Sequence, residues 1–97
     1  MKYFTVAEFV RSDTADRRAI DNRLPKELLP NVQALVNNVL DPLREAYGKP
    51  IRVNSGFRCP ALNKAVKGSA TSDHMTGRAA DITGGSPAEN KKLFYMI

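Results

Sequence analysis

One run of apolar residues between Asn31 and Tyr47 constrains the fold more than any other part of the sequence. Val32, Leu35, Val36, Val39, Leu40 and Leu43 recur at spacings of three and four, which lines them along one face of an α-helix. A helix with a single apolar face must bury it against another element. Pro42 falls inside the run. It has no amide hydrogen and its ring crowds the preceding turn, so it is expected to kink the helix or to begin a second one. Tyr47-Gly48 closes the segment, with Gly48 placed as a left-handed cap.

The elements around this helix are shorter. Thr5 with Glu8 three residues on forms a capping box ahead of a helix through Phe9 and Val10. Arg17, Arg18, Asp21 and Arg23 read as exposed loop, punctuated by Pro25 and Pro30. Pro50-Ile51-Arg52-Val53-Asn54 alternates as a strand does, and Ser55-Gly56 turns the chain. Cys59-Pro60 opens a helix to about Val66, with Pro60 at its first position. Lys67 to Ser72 is a loop, and Arg78 to Thr83 a second strand. Ser86-Pro87-Ala88-Glu89 starts a last helix, with Ser86 as cap, Glu89 closing the box, and Leu93, Phe94 and Ile97 as its buried face. That helix stops in mid-pattern without a cap, so the sequence is expected to be an incomplete domain. At 97 residues it reads as one domain spanning 1–97. A chain of this size buries roughly two-thirds of its unfolded surface. With 42% hydrophobic and 26% charged residues it is not a disordered chain.

The net charge is +5. Lys49, Arg52, Arg58, Lys64 and Lys67 share a segment with no acidic residue before Asp73. Such a segment can meet nucleic acid, an anionic wall polymer or a substrate carboxylate, or can be a solvated basic face. Phe57 is its only aromatic residue, which argues against a base-stacking platform for nucleic acid. The single cysteine, Cys59, excludes an internal disulfide. Next to a histidine it would be a thiol nucleophile; otherwise it is a small packed residue. The N-terminus lacks the apolar run of a signal peptide, and no stretch approaches the roughly 20 apolar residues of a membrane span. The expectation is a protein without membrane insertion, cytoplasmic as synthesised.

His74 and Asp81 are the residues best suited to chemistry. They lie seven apart with Gly77 between them, a spacing that brings them together from a loop and a strand across a turn. An imidazole nitrogen and a carboxylate oxygen are both good zinc donors. A carboxylate beside Ala79, Ala80 and Ile82 needs a partner, and an ion pair with Arg58 or Arg78 would serve as well as a metal. Arg58 follows a strand end and can grip a carboxylate with two prongs, either on a substrate or as a structural bridge.

The string Ser55-Gly56-Phe57-Arg58, then Asn63, then Gly68-Ser69, then Ser72-x-His74-x-x-Gly77-x-Ala79-x-Asp81-Ile82 resembles the D-alanyl-D-alanine carboxypeptidase family of zinc peptidases. It is similar more narrowly to the small peptidase M15A type found in phages and prophages. The close match covers about residues 50–83, with a looser fit from Phe4 to Leu43. The resemblance implies an α+β fold, hedgehog or D,D-peptidase-like, with a small antiparallel sheet flanked by helices. It implies zinc bound by His74, Asp81 and a second histidine, with a carboxylate base shortly before that histidine. It casts Arg58 as the residue that stabilises the substrate carbonyl or carboxylate, and Ser72 as lining the substrate pocket. The implied activity is D,D-carboxypeptidase or endopeptidase cleavage of peptidoglycan stem peptides by metal-activated water, on the cell wall after phage lysis or release.

The sequence departs from that pattern. His74 is its one histidine, and Glu89 the one acid after Asp81. The C-terminal strand that would carry the third ligand is therefore expected to be lacking, zinc to be held weakly, and the chain itself to be inactive or nearly so. The exposed sheet edge would favour self-association. The alternative is a non-catalytic peptidoglycan-binding module that kept the fold.

Overall fold

Phe9, Val32 and Val36 are fully withdrawn from solvent, and Val53 is 2% exposed. These four come from three separate parts of the chain, which shows where the core sits. In the computed structural model, which describes residues 1–96, the order is α1 (Val6–Val10), α2 (Asp13–Arg17), α3 (Leu29–Leu35), α4 (Asp41–Tyr47), β1 (Arg52–Ser55), α5 (Pro60–Ala65), β2 (Asp81–Thr83) and α6 (Pro87–Met96). Short 3-10 turns cover Lys26–Leu28 and Asp73–Thr76. The class is α+β, with a two-stranded antiparallel sheet and helices around it. Phe4, Leu40, Leu43, Ile51 and Leu93 complete the buried cluster.

The long apolar run is one continuous helical path with a wider π-turn over Val36–Leu40 between α3 and α4. The physical cause is Pro42. Its ring excludes an ordinary turn over the carbonyl of Asn38, four residues back, and the π-turn absorbs the misfit. The extra residue shifts the helix phase. Leu40 and Leu43 stay buried, whereas Val39, expected on the same face, is 44% exposed. Gly48 ends α4 with φ +77° and its amide donates to Arg44 O. The buried Asp41 carboxylate accepts from the backbone amides of Lys2 and Tyr3 at 2.7 and 3.1 Å, tying down the N-terminus.

The Thr5–Glu8 capping box is present as expected. Of the residues read as exposed loop, Arg18, Asp21 and Arg23 lie outside helices and exposed, whereas Arg17 ends α2, which Ser12 Oγ caps on the amide of Ala15. With Ala15 as its one buried residue, this five-residue helix has no periodicity to detect. Strand β2 begins at Asp81 rather than at Arg78. It pairs with β1 in the register Arg52↔Thr83, Val53↔Ile82 and Ser55↔Asp81, with an irregularity between Val53 and Ser55 that leaves Asn54 as an extra residue. In α6 Ser86 Oγ caps the amide of Glu89. Glu89 does not close the box; its carboxylate accepts from Tyr47 and Lys49 and so fastens α6 to the end of α4. Leu93 is buried, but Phe94 is 73% exposed, contrary to the expected face, and Ile97 lies outside the described residues. Among the described residues no helix is long and apolar enough to cross a membrane.

Candidate metal centre

The site is built on the turn after β1. A side chain at Gly56 would place its Cβ within 2.8 Å of the Phe9 backbone and ring, so only glycine lets the chain pass. Phe57 N donates to Phe9 O at 2.7 Å, and the Phe57 ring is buried. Asn22 then braces the turn. Its amide nitrogen donates to Val10 O and Phe57 O, both at 3.0 Å, and its oxygen accepts from Cys59 N at 2.7 Å. Asn22 holds the backbone on both sides of Arg58. Nothing in the sequence marks this residue, which sits in a polar stretch without a periodic pattern.

Arg58 is joined to the second half of the site twice. Its amide donates to His74 O at 3.0 Å, and Nη2 donates to Ser72 Oγ at 3.2 Å. Its Nε is buried without a hydrogen-bond partner among the described residues. Ser72 Oγ also accepts from His74 N at 3.2 Å and so caps the 3-10 turn that carries the histidine. Gly77 ends that turn with φ +74°, a conformation that side chains resist, and a Cβ there would lie 2.9 Å from Val32 Cγ2. Asn31 Nδ2 donates to Thr76 O at 2.9 Å. The chain then reverses into β2.

His74 and Asp81 meet as the spacing implies. His74 Nδ1 lies 2.7 Å from Gly56 O. A carbonyl only accepts, so Nδ1 carries the hydrogen and Nε2 of the neutral ring presents its lone pair. That lone pair faces Asp81 Oδ2, at 3.6 Å. The histidine side chain is 12% exposed and the aspartate 67%, so Asp81 is not the buried strand carboxylate that its apolar neighbours suggested. Neither Arg58 nor Arg78 forms an ion pair with it among the described residues; the side chain that approaches it is His74.

This pair fits two positions of a zinc site. Two donors, each about 2.0–2.1 Å from one tetrahedral zinc ion, stand about 3.4 Å apart, close to the separation found. A backbone carbonyl on the far ring nitrogen is the usual way a ligating histidine is oriented. Among the described residues no group of three His, Cys, Asp or Glu side chains surrounds a common point. Cys59 is not poised as a nucleophile: its sulfur accepts from Leu62 N at 3.5 Å and caps α5. Of the basic segment, Lys49 is engaged by Glu89 at 2.9 Å.

A 48-residue stretch is 50% identical to the zinc D-Ala-D-Ala carboxypeptidase of Streptomyces albus G, covering 48% of this chain and 19% of that enzyme. The chain thus spans about a fifth of the length of this curated relative. No solved structure matches the chain. The family model described as peptidase M15 matches residues 2–96, nearly the whole sequence, and the chain belongs to the peptidase M15 family.

Proposed function

We propose that this chain carries a zinc-dependent peptidase site directed at peptidoglycan stem peptides, of the D,D-carboxypeptidase or endopeptidase type, on a hedgehog or D,D-peptidase-like fold. The observation behind this reading is the His74 Nε2–Asp81 Oδ2 approach of 3.6 Å with Nδ1 tied to Gly56 O, in a chain of the peptidase M15 family. His74 and Asp81 are the metal donors. Zinc bound there supplies polarisation of a peptide carbonyl and acidification of a water.

The other groups act on the substrate. Arg58 lends positive charge and two-pronged donors for a carbonyl or terminal carboxylate. Ser72 Oγ accepts from both Arg58 Nη2 and His74 N, which leaves its own proton to donate to a bound peptide. Gly56 O holds the His74 proton on Nδ1, away from the metal side. The setting that fits this chemistry is the cell wall, reached after phage-driven lysis or release.

A second reading rests on the two-donor site. With no third side-chain donor beside His74 and Asp81 among the described residues, the chain can act as a peptidoglycan-binding module that recognises the same peptides through Arg58 and Ser72. Zinc calorimetry combined with D-Ala release from a stem pentapeptide tests both. One zinc per chain, lost in His74→Ala, is expected. Peptide binding without metal and without turnover selects the module, and zinc binding indifferent to His74 refutes the metal site.

A further inference from the structure

Arg11, Ser12, Asp13, Arg52 and Asn54 line a polar cleft of about 130 Å³ between the end of α1 and β1. At about 30 Å³ per water it has room for about four waters, or for one carboxylate or phosphate head. Arg52 and Asn54 flank the buried Val53 on β1 and are both exposed. Residues two apart on a strand share a face, so they present guanidinium and amide together on the solvent side. Arg11 faces them from the C-cap of α1. Neither guanidinium forms an ion pair among the described residues, with Asp13 or with any other carboxylate. Arg23 and Arg44 are engaged differently: one on Asp21, the other over the Tyr3 ring. Two guanidinium groups against the single carboxylate of Asp13 leave this small cleft with one positive charge in excess, so it gains from an added anion held between the arginines.

The sheet connects this cleft to the candidate centre. Arg52 pairs with Thr83 and Ser55 with Asp81. Three residues of strand at 3.3 Å each put the cleft roughly 10 Å from Asp81, two to three residues along an extended peptide. We propose that Arg11 and Arg52, with Asn54, form an anion subsite for a substrate carboxylate two to three residues from the scissile bond. The ligand class is an acidic peptide. This rests on the peptidase reading and deepens it by assigning substrate selectivity to a cleft outside the metal pair.

The test uses the full chain in metal-free buffer. Binding of L-Ala-γ-D-Glu-L-Lys-D-Ala-D-Ala is compared with that of the same peptide carrying D-isoglutamine, by calorimetry and by amide shifts at Arg11, Arg52 and Asn54. The acidic peptide is expected to bind about tenfold more tightly, with shifts at all three residues and a loss of affinity in added salt. Arg11→Gln with Arg52→Gln is expected to erase the preference, and Arg52→Lys to keep part of it, since a lysine retains the charge without the fork. Both arginines are exposed, so the variants should fold. Equal binding of the two peptides, no binding of either, or a preference intact in the double variant overturns the subsite. Stronger competition by inorganic phosphate than by acetate overturns the carboxylate assignment. Because zinc is absent, failure of the metal site does not affect this result.

Discussion

His74 Nε2 stands 3.6 Å from Asp81 Oδ2 while the opposite ring nitrogen is held 2.7 Å from Gly56 O. Three segments therefore converge on one imidazole: the turn after β1, the 3-10 turn and β2. The ring is fixed in orientation and tautomer before any ligand arrives, which lowers the cost of binding one.

His74→Ala is expected to abolish zinc binding, and Asp81→Asn, which removes the second donor, to weaken it beyond the roughly 10–100-fold that losing a mere outer-shell partner costs. Calorimetry with circular dichroism on each variant separates ligand loss from unfolding.

Arg58 has a buried Nε with no partner among the described residues and is expected to be kept for binding rather than stability. Arg58→Met preserves the length of the side chain and removes the orphaned polar atom. Its unfolding free energy is expected to move by less than about 1 kcal/mol, whereas affinity for a D-Ala-D-Ala peptide falls about tenfold or more. A large drop in urea midpoint instead would make Arg58 a structural residue.

Gly77 closes the histidine turn with φ +74° and no space toward Val32. Gly77→Ala is expected to destabilise the fold by about 1–3 kcal/mol, from left-handed backbone strain and overpacking together. Urea denaturation measures the loss, and zinc affinity should fall with it because the same turn carries His74.

Glu89 gives a pH-dependent clasp. Hydrogen bonding from Lys49, then from Tyr47, holds its carboxyl down from the usual 4.5 to about 2. A depressed carboxyl contributes stability that is fully present above about pH 4.5 and is lost as pH falls toward about 2. The same contact raises Tyr47, which keeps its proton to higher pH. Glu89→Gln is expected to flatten the stability profile between those two limits and to bring the Tyr47 phenol ionisation down, read by ultraviolet absorbance.

Strand β2 pairs with β1 on one side, and α6 exposes Phe94 and Tyr95 at 73% and 74%. An open strand edge near exposed aromatic rings favours pairing with a second copy. Light scattering is expected to show concentration-dependent dimers that Ile82→Lys reduces; a monomer at millimolar concentration would contradict this.

Local rules carried much of this fold. The Thr5 box, the Gly48 cap, Pro60 opening α5 and the alternation around Val53 depend on neighbours within a few residues, so they are legible in order along the chain. The approach of His74 to Asp81 across Gly77 was legible from the glycine turn, but the spacing left an ion pair of Asp81 with Arg58 or Arg78 equally open, and only the resemblance of the surrounding motif cast the two as metal donors. Other features depend on contacts distant in sequence. The exposure of Asp81 follows from its place at the open start of β2, and Asn22 gains its role from backbone groups at Val10 and Phe57. Glu89 left its own helix cap for Tyr47 and Lys49, and Val39 turned outward because a π-turn absorbed Pro42. The sequence by itself determined which residues could form helices, caps and turns, because those preferences are short-range. Only the tertiary structure decided which polar groups meet, because a hydrogen-bond donor takes the partner that packing of the core brings within about 3 Å of it.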